Sequence, residues 1–193
     1  VTVHLAVVVT LGASWFWFVG TVLLVQFPVF TKDILLGNED VANAFIATFT
    51  IGIGLGSLIT SRLLKGEVSA KYVPVAAIMM TVFLIDLYFA AGQVNARLSG
   101  TTLNGVSLFF SGWASWRVAF DLFFTAFCGG IYAVPLNAIM QTRASPPKRS
   151  RVIAANNLIN AIFMIAATVT SVILLQFISA RGLFLCLGLA NAV

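Results

Sequence analysis

The sequence predicts an all-α integral membrane protein, a bundle of six helices of which the last is incomplete. Three observations carry that expectation. Of the 193 residues 60% are apolar and only 9% are charged, against roughly a quarter charged in a soluble domain. The mean hydropathy is +1.03. Long apolar runs recur along the chain, and most charges lie between them. Eleven basic and six acidic residues cannot cover a water-soluble domain of this length. The same composition excludes a disordered chain, and it excludes a nucleic-acid partner despite the net charge of +5.

The complete runs cover about residues 5–30, 41–64, 72–91, 118–140 and 152–178. Each is near or above the roughly 20 residues that cross a hydrocarbon core of about 30 Å. Stretches such as Val22-Leu23-Leu24-Val25 and Ile78-Met79-Met80 lack the alternation of barrel strands, so helices are expected. The sixth run, 182–193, is too short to span. The chain starts at Val1 with no basic leader and stops inside that run. The expectation is a single transmembrane domain cut at both ends, with no signal peptide.

Basic residues set the orientation. Arg62, Lys65 and Lys71 separate the second and third spans, and Arg143, Lys148, Arg149 and Arg151 separate the fourth and fifth. These two connections must share a side, and the positive-inside rule places loops 65–71 and 141–151 in the cytoplasm. Pro146-Pro147 breaks the helix in the second of them. The connection holding Asp33, Glu39 and Asp40 then faces outward. Residues 92–117 form the longest connection. Its Trp113 and Trp116 are expected to lie along the outer interface.

Within the spans, polar and small residues are the candidates for function. Trp15, Val19, Val22 and Gln26 share one face of the first span. That face is either an aromatic wall for a ligand or a packing surface. The glycine run around Gly52 and Gly56 lies mid-span with no preceding strand, so it reads as close helix packing and not as a phosphate loop. Asp86 lies past the middle of the third span, where a carboxylate is costly unless paired, solvated or protonated. It is a candidate for substrate binding, against a structural pair. Asp121 shares a face with Thr125, Cys128 and Tyr132, and is a candidate gate or coupling group. Gly129-Gly130, Pro135 and Asn137 weaken the fourth span and could open a cavity. Asn156 and Asn160 face the same way, towards a ligand or another helix.

Catalytic and metal-binding patterns are not found. Cys128 and Cys186 sit in apolar runs as small hydrophobes, and the one histidine is His4. No nucleophile elbow, Cys/His pair or His-x-x-x-x-Asp is present. Neither an intramembrane enzyme nor a cofactor is expected. Ser14-Trp15 and Ser115-Trp116 each precede a long run with a proline near its end, Pro28 and Pro135. That pattern suits an inverted three-plus-three repeat.

The chain resembles the C-terminal six-helix half of a major facilitator superfamily transporter. More narrowly it resembles the lysophospholipid transporter group, including forms fused to a lysophospholipid acyltransferase. The resemblance rests on Ser14-Trp15-Phe16-Trp17-Phe18, Gly52 to Ser57, Asp86-Leu87-Tyr88-Phe89-Ala90 and Gly129-Gly130 through Pro135-Leu136-Asn137-Ala138. It continues through Gln141-Thr142-Arg143 and Arg149-Ser150-Arg151-Val152-Ile153-Ala154-Ala155-Asn156-Asn157 to Met164. It implies twelve helices in two halves, of which the N-terminal half is missing here. It also implies movement of lysophosphatidylethanolamine-like lipid across the bacterial inner membrane by alternating access. A fused or associated acyltransferase is an expected partner. Trp15, Gln26, Asp86, Tyr132, Asn137, Asn156 and Asn160 are the expected substrate-binding residues. The alternatives are a proton-coupled exporter of small solutes and a membrane anchor for an acyltransferase.

Overall fold

The computed structural model describes residues 3–64, 67–98, 102–143, 147 and 149–192. Among them are seven α-helices: α1 (Val3–Val29), α2 (Glu39–Leu63), α3 (Val73–Arg97), α4 (Val106–Phe109), α5 (Trp113–Arg143), α6 (Arg149–Leu174) and α7 (Ala180–Asn191). All but α4 and α7 are long and apolar enough to cross a membrane; α4 is one turn, and α7 has 12 residues. No strand occurs among the described residues, where one isolated bridge pairs Gly37 with Asn104. Lys65, Pro146, Lys148 and Val193 lie outside the described residues.

Helix ends differ from the apolar runs, because a helix continues through polar residues once it leaves hydrocarbon. The third span runs to Arg97 and does not stop at 91, and the fourth begins at Trp113, ahead of 118. The fifth ends at Leu174, short of 178. The first extends past Pro28 into a π-helical turn, Phe30–Ile34. The connection expected over 92–117 is therefore mostly helix. Trp113 and Trp116 belong to the first turns of α5, where they are 80% and 56% exposed.

Side-chain caps start two helices. Asn38 Oδ1 accepts the Val41 N–H at 3.2 Å, with Glu39 and Asp40 in the first turn of α2. Ser179 Oγ accepts the Gly182 N–H at 3.2 Å ahead of α7.

Helix α5 is the centre of the bundle. It packs along α2 and α3 and touches α1; α6 lies along α1, and α7 along α3. These pairings nearly map onto themselves when α1–α3 exchange with α5–α7. The α2–α5 contact corresponds to α6–α1, the slight α1–α2 contact to α5–α6, and α3–α7 and α1–α5 each to itself. The α3–α5 contact is extensive while its counterpart α1–α7 is small, so the correspondence fails at this pair.

Absent side chains bring α2 onto α5. A Cβ on Gly52 would lie 2.5 Å from the Phe123 carbonyl, one on Gly56 would overlap the Phe127 carbonyl, and one on Gly130 would lie 2.7 Å from the Ile53 carbonyl. Between apolar helices in lipid, such close approach is the main source of attraction. Elsewhere the helices present apolar residues outward: Leu158, Ile162, Ile165, Val169 and Val172 form an exposed stripe on α6.

The two ends of the bundle are built differently. At one end, fully buried Phe27, Phe30, Phe45, Phe109 and Phe184 pack from α1, its π turn, α2, α4 and α7. Loops seal this capped end. The Asn104 N–H donates to the Leu36 carbonyl, and Asn104 Nδ2 donates to the same oxygen. Leu36 takes the left-handed conformation there, φ 54°. Arg97 donates to the Phe109 carbonyl at 2.7 Å and to Ser111 and Ser115. The opposite end carries exposed Arg62, Lys71, Arg149 and Arg151. Among the described residues a second, smaller cluster of Val9, Ala13, Leu136, Ile139 and Met140 packs near it, from α1 and α5.

Replacing Gly56 by leucine should destabilise the fold by about 1–3 kcal/mol or more through overpacking. Gly54→Ala, where the added methyl meets open space, should be neutral or slightly stabilising. Thermal unfolding of the two variants in detergent checks both expectations.

Candidate functional site

Asp86 sits mid-helix on α3, where an unpaired carboxylate in a bilayer would cost about 2.5–3.5 kcal/mol. Arg117, one turn into α5, meets it in a two-pronged contact. Its Nε donates to Oδ2 at 2.8 Å, and its Nη2 donates to Oδ1. The two side chains are 34% and 30% exposed. Nη1 of the same guanidinium turns to Gln93 Oε1, 3.4 Å away. Asp121, one turn further along α5, is 1% exposed and close enough to Asp86 to interact with it. Two carboxylates are both acceptors, so nothing bonds them unless a proton or a cation joins them. Asp121 Oδ2 has no hydrogen-bond partner among the described residues, and Thr125 Oγ1, on the next turn, has none either.

These three charged groups line a cavity of about 820 Å³. It runs along α5 between α2 and α3, walled by Val82, Phe83, Phe120 and Phe123, with Trp113 and Trp116 at its capped end. Phe83 stacks on Phe124 at 5.3 Å between centroids, and Phe120 packs on Phe124 at 4.4 Å, so the aromatic wall is itself packed. The site pairs a charged rim with an apolar wall.

A second cavity of about 500 Å³ lies in the half of the bundle nearer the basic end, lined by Trp15, Pro74, Ala77, Tyr132 and Asn191 among others. Trp15 Nε1 donates to Asn191 Oδ1 at 2.8 Å, and Asn191 Nδ2 donates to the Ala77 carbonyl and to Thr81 Oγ1. Trp15 also stacks flat on Phe18, with centroids 5.1 Å apart. Trp15 and Phe18 border a third, apolar cavity of about 190 Å³ against α6 and α7.

The remaining expected site residues fall elsewhere. Asn160 Oδ1 lies 2.8 Å from Ser14 Oγ, so this amide joins α6 to α1. Asn156, on the same face, is 4% exposed, and its Oδ1 has no partner among the described residues. Asn137 Nδ2 donates to the Ala133 carbonyl of its own helix. Gln26 is 5% exposed, and its Oε1 has no partner among the described residues. The face of Trp15, Val19, Val22 and Gln26 does turn inward, as does that of Asp121, Thr125, Cys128 and Tyr132. Gly52 and Gly56 take the packing role expected of them.

The residues expected to form one site are thus spread over two cavities and one helix interface. Only Trp15 and Tyr132, and separately Asp86 and Asp121, are brought together. The expectation missed Arg117, which was placed in the connection, and Asn191, at the end of the last run. Arg117 was detectable: it stands four residues before Asp121, a spacing that puts both on one helix face. Asn191 gives no such signal. Among the described residues, no group of three or more His, Cys, Asp or Glu is placed to hold a metal ion.

Fold and sites together define an all-α membrane protein that carries charged and amide groups inside its spans. Comparison with family models, with curated proteins and with solved structures returns no match.

Removing one partner of the Asp86–Arg117 pair should cost more than removing both. Arg117→Gln leaves two carboxyls facing each other, whereas Asp86→Asn with Arg117→Gln leaves neutral groups. The single variant should unfold at a lower temperature in detergent than the double variant. A single variant as stable as the parent would show that the pair is solvated.

Proposed function

We propose that this chain is the C-terminal half of a major facilitator transporter that moves lysophosphatidylethanolamine-like lipid across a bacterial inner membrane. The observation that carries the reading is the helix pairing, which nearly repeats when α1–α3 exchange with α5–α7. A three-plus-three repeat of this kind is how transporter halves are built, with substrate held where the halves meet. The basic end faces the cytoplasm in this reading, and the capped end faces outward.

The polar inventory supports an amphipathic substrate. Charged groups line a groove whose other walls are apolar, and a second cavity mixes Trp15 and Tyr132 with Asn191. Asn156 and Gln26 keep unpartnered oxygens that water or substrate would satisfy. Asp86 contributes here as the partner of Arg117 and not as a free carboxylate. Alternating access would rock this half against its missing counterpart.

Lysolipid flux in proteoliposomes tests the reading. The full-length protein should move labelled lysophosphatidylethanolamine, and Asn156→Ala and Asp86→Asn should each lower the rate by about tenfold or more, the equivalent of about 1.4 kcal/mol. The 193-residue chain alone should move none, since one half cannot close a two-sided cavity. A second reading, a proton-coupled exporter of small solutes, is favoured by the buried Asp121, whose free oxygen would accept a proton. Solute uptake driven by a pH gradient, with no lysolipid flux, would select it.

A further inference from the structure

Two carboxyls face one guanidinium inside the bundle. Asp86, on α3, and Asp121, on α5, lie within hydrogen-bond reach of each other. Ionised together, both can only accept, so they repel and no bond joins them. Arg117 sets one positive charge against two negative ones, and it gives Nε and Nη2 to Asp86. Its Nη1 turns to Gln93. Asp121 is 1% exposed, and its Oδ2 has no hydrogen-bond partner among the described residues.

No other charge among the described residues is placed to settle the excess. The cavity lining holds no ionisable group beyond these three, and α2 adds Thr48 to it. The charges of α2, Glu39, Asp40 and Arg62, stand at its two ends. On α3, Tyr88 lies under Arg181 of α7, and Arg97 bonds to the Phe109 carbonyl. The α1 helix carries no titratable residue but His4, at its start, and α6 carries Arg149 and Arg151 in its first turn. Along α5 itself, Cys128 and Tyr132 follow Asp121 at two and three turns, and Arg143 is the last residue. One proton brings the two carboxyls and the guanidinium to neutrality, the state that costs least away from water.

We propose that Asp86 and Asp121 form a proton site: at neutral pH the Asp121 carboxyl keeps its proton and donates it to the Asp86 carboxylate, tying α5 to α3. The lone pairs of Asp86 suffice for this O–H and for both N–H groups of Arg117. Arg117 and Asp121, four residues apart on one helix, then clasp the same carboxylate from one face of α5. Loss of the proton leaves two negative charges at one guanidinium and cuts the second tie. Such a site depends on neither transport reading, since it needs no cargo.

Infrared difference spectra and thermal unfolding of the full-length protein in nanodiscs test the site. At neutral pH the parent should show the carbonyl band of a protonated carboxyl, shifted in D2O and lost in Asp121→Asn. The amide of Asp121→Asn donates to Asp86 in place of the O–H and needs no proton. That variant should therefore unfold at the parent's temperature or above it. Asp121→Leu, with no donor, should unfold roughly 3 °C or more below Asp121→Asn. As the pH is raised through neutrality the parent should lose stability relative to Asp121→Asn, because the folded state keeps a proton that the unfolded chain has released. Absence of the band from the parent, its persistence in Asp121→Asn, an Asp121→Asn protein that unfolds below the parent, or a difference between the two that does not change with pH overturns the proposal.

Discussion

Backbone contact between α2 and α5 is the constraint on which the other placements depend. In water, burying apolar side chains would drive these helices together. In lipid, the hydrocarbon solvates a leucine as well as another helix does, and that drive is lost. Gly52, Gly56 and Gly130 replace it with direct contact, leaving room for carbonyl oxygens where side chains would stand. Once α5 is held this way, an adjacent face of it meets α3, and Arg117 reaches Asp86. The charged groove is a consequence of where a few side chains are missing.

The same helix joins two regions that are packed differently. Near its start, α5 is tied to the loops through Ser115 and Arg97, and through Trp116 Nε1 donating to the Phe110 carbonyl at 2.9 Å. Buried phenylalanines from several elements meet close by, and their edge-to-face contacts are directional as well as apolar. Near its other end, past Pro135, α5 packs with α1 through a few small and aliphatic residues, beside an open cavity.

Polar groups inside the spans divide by what they touch. Asn160, Asn137 and Asn191 spend their amides on neighbouring helices or on their own. Their roles are met within the fold. Gln26, Asp121, Thr125 and Asn156 are at least as deeply buried and have oxygens with no hydrogen-bond partner among the described residues. In a bilayer such atoms are expensive, and they persist where water, ions or substrate visit them. The second set is therefore the better guide to function, although both sets look alike as letters.

What the sequence determined by itself was the class of protein and the direction of each face. Run length and composition define the spans, since about 20 apolar residues can do little else. Helical spacing turned Gln26, Asn156 and Asn160 inward and put Asp121 on one face with Thr125, Cys128 and Tyr132, and glycine spacing marked Gly52 and Gly56 as a packing face. These readings need only the geometry of one helix. Which faces meet was decided by the tertiary structure. Arg117 was read as part of a connection because a hydrophobic filter ends a helix at its first charge, whereas the helix itself begins at Trp113. Asp86 was open to substrate or to a structural pair until α5 brought a guanidinium 2.8 Å from it. Pairing between helices 31 residues apart in sequence depends on register and crossing, which a local pattern does not encode. Hence the sequence showed which faces carry the polar residues, and only the packing decided that Asp86 is paired while Asp121 is buried with an oxygen that has no hydrogen-bond partner among the described residues.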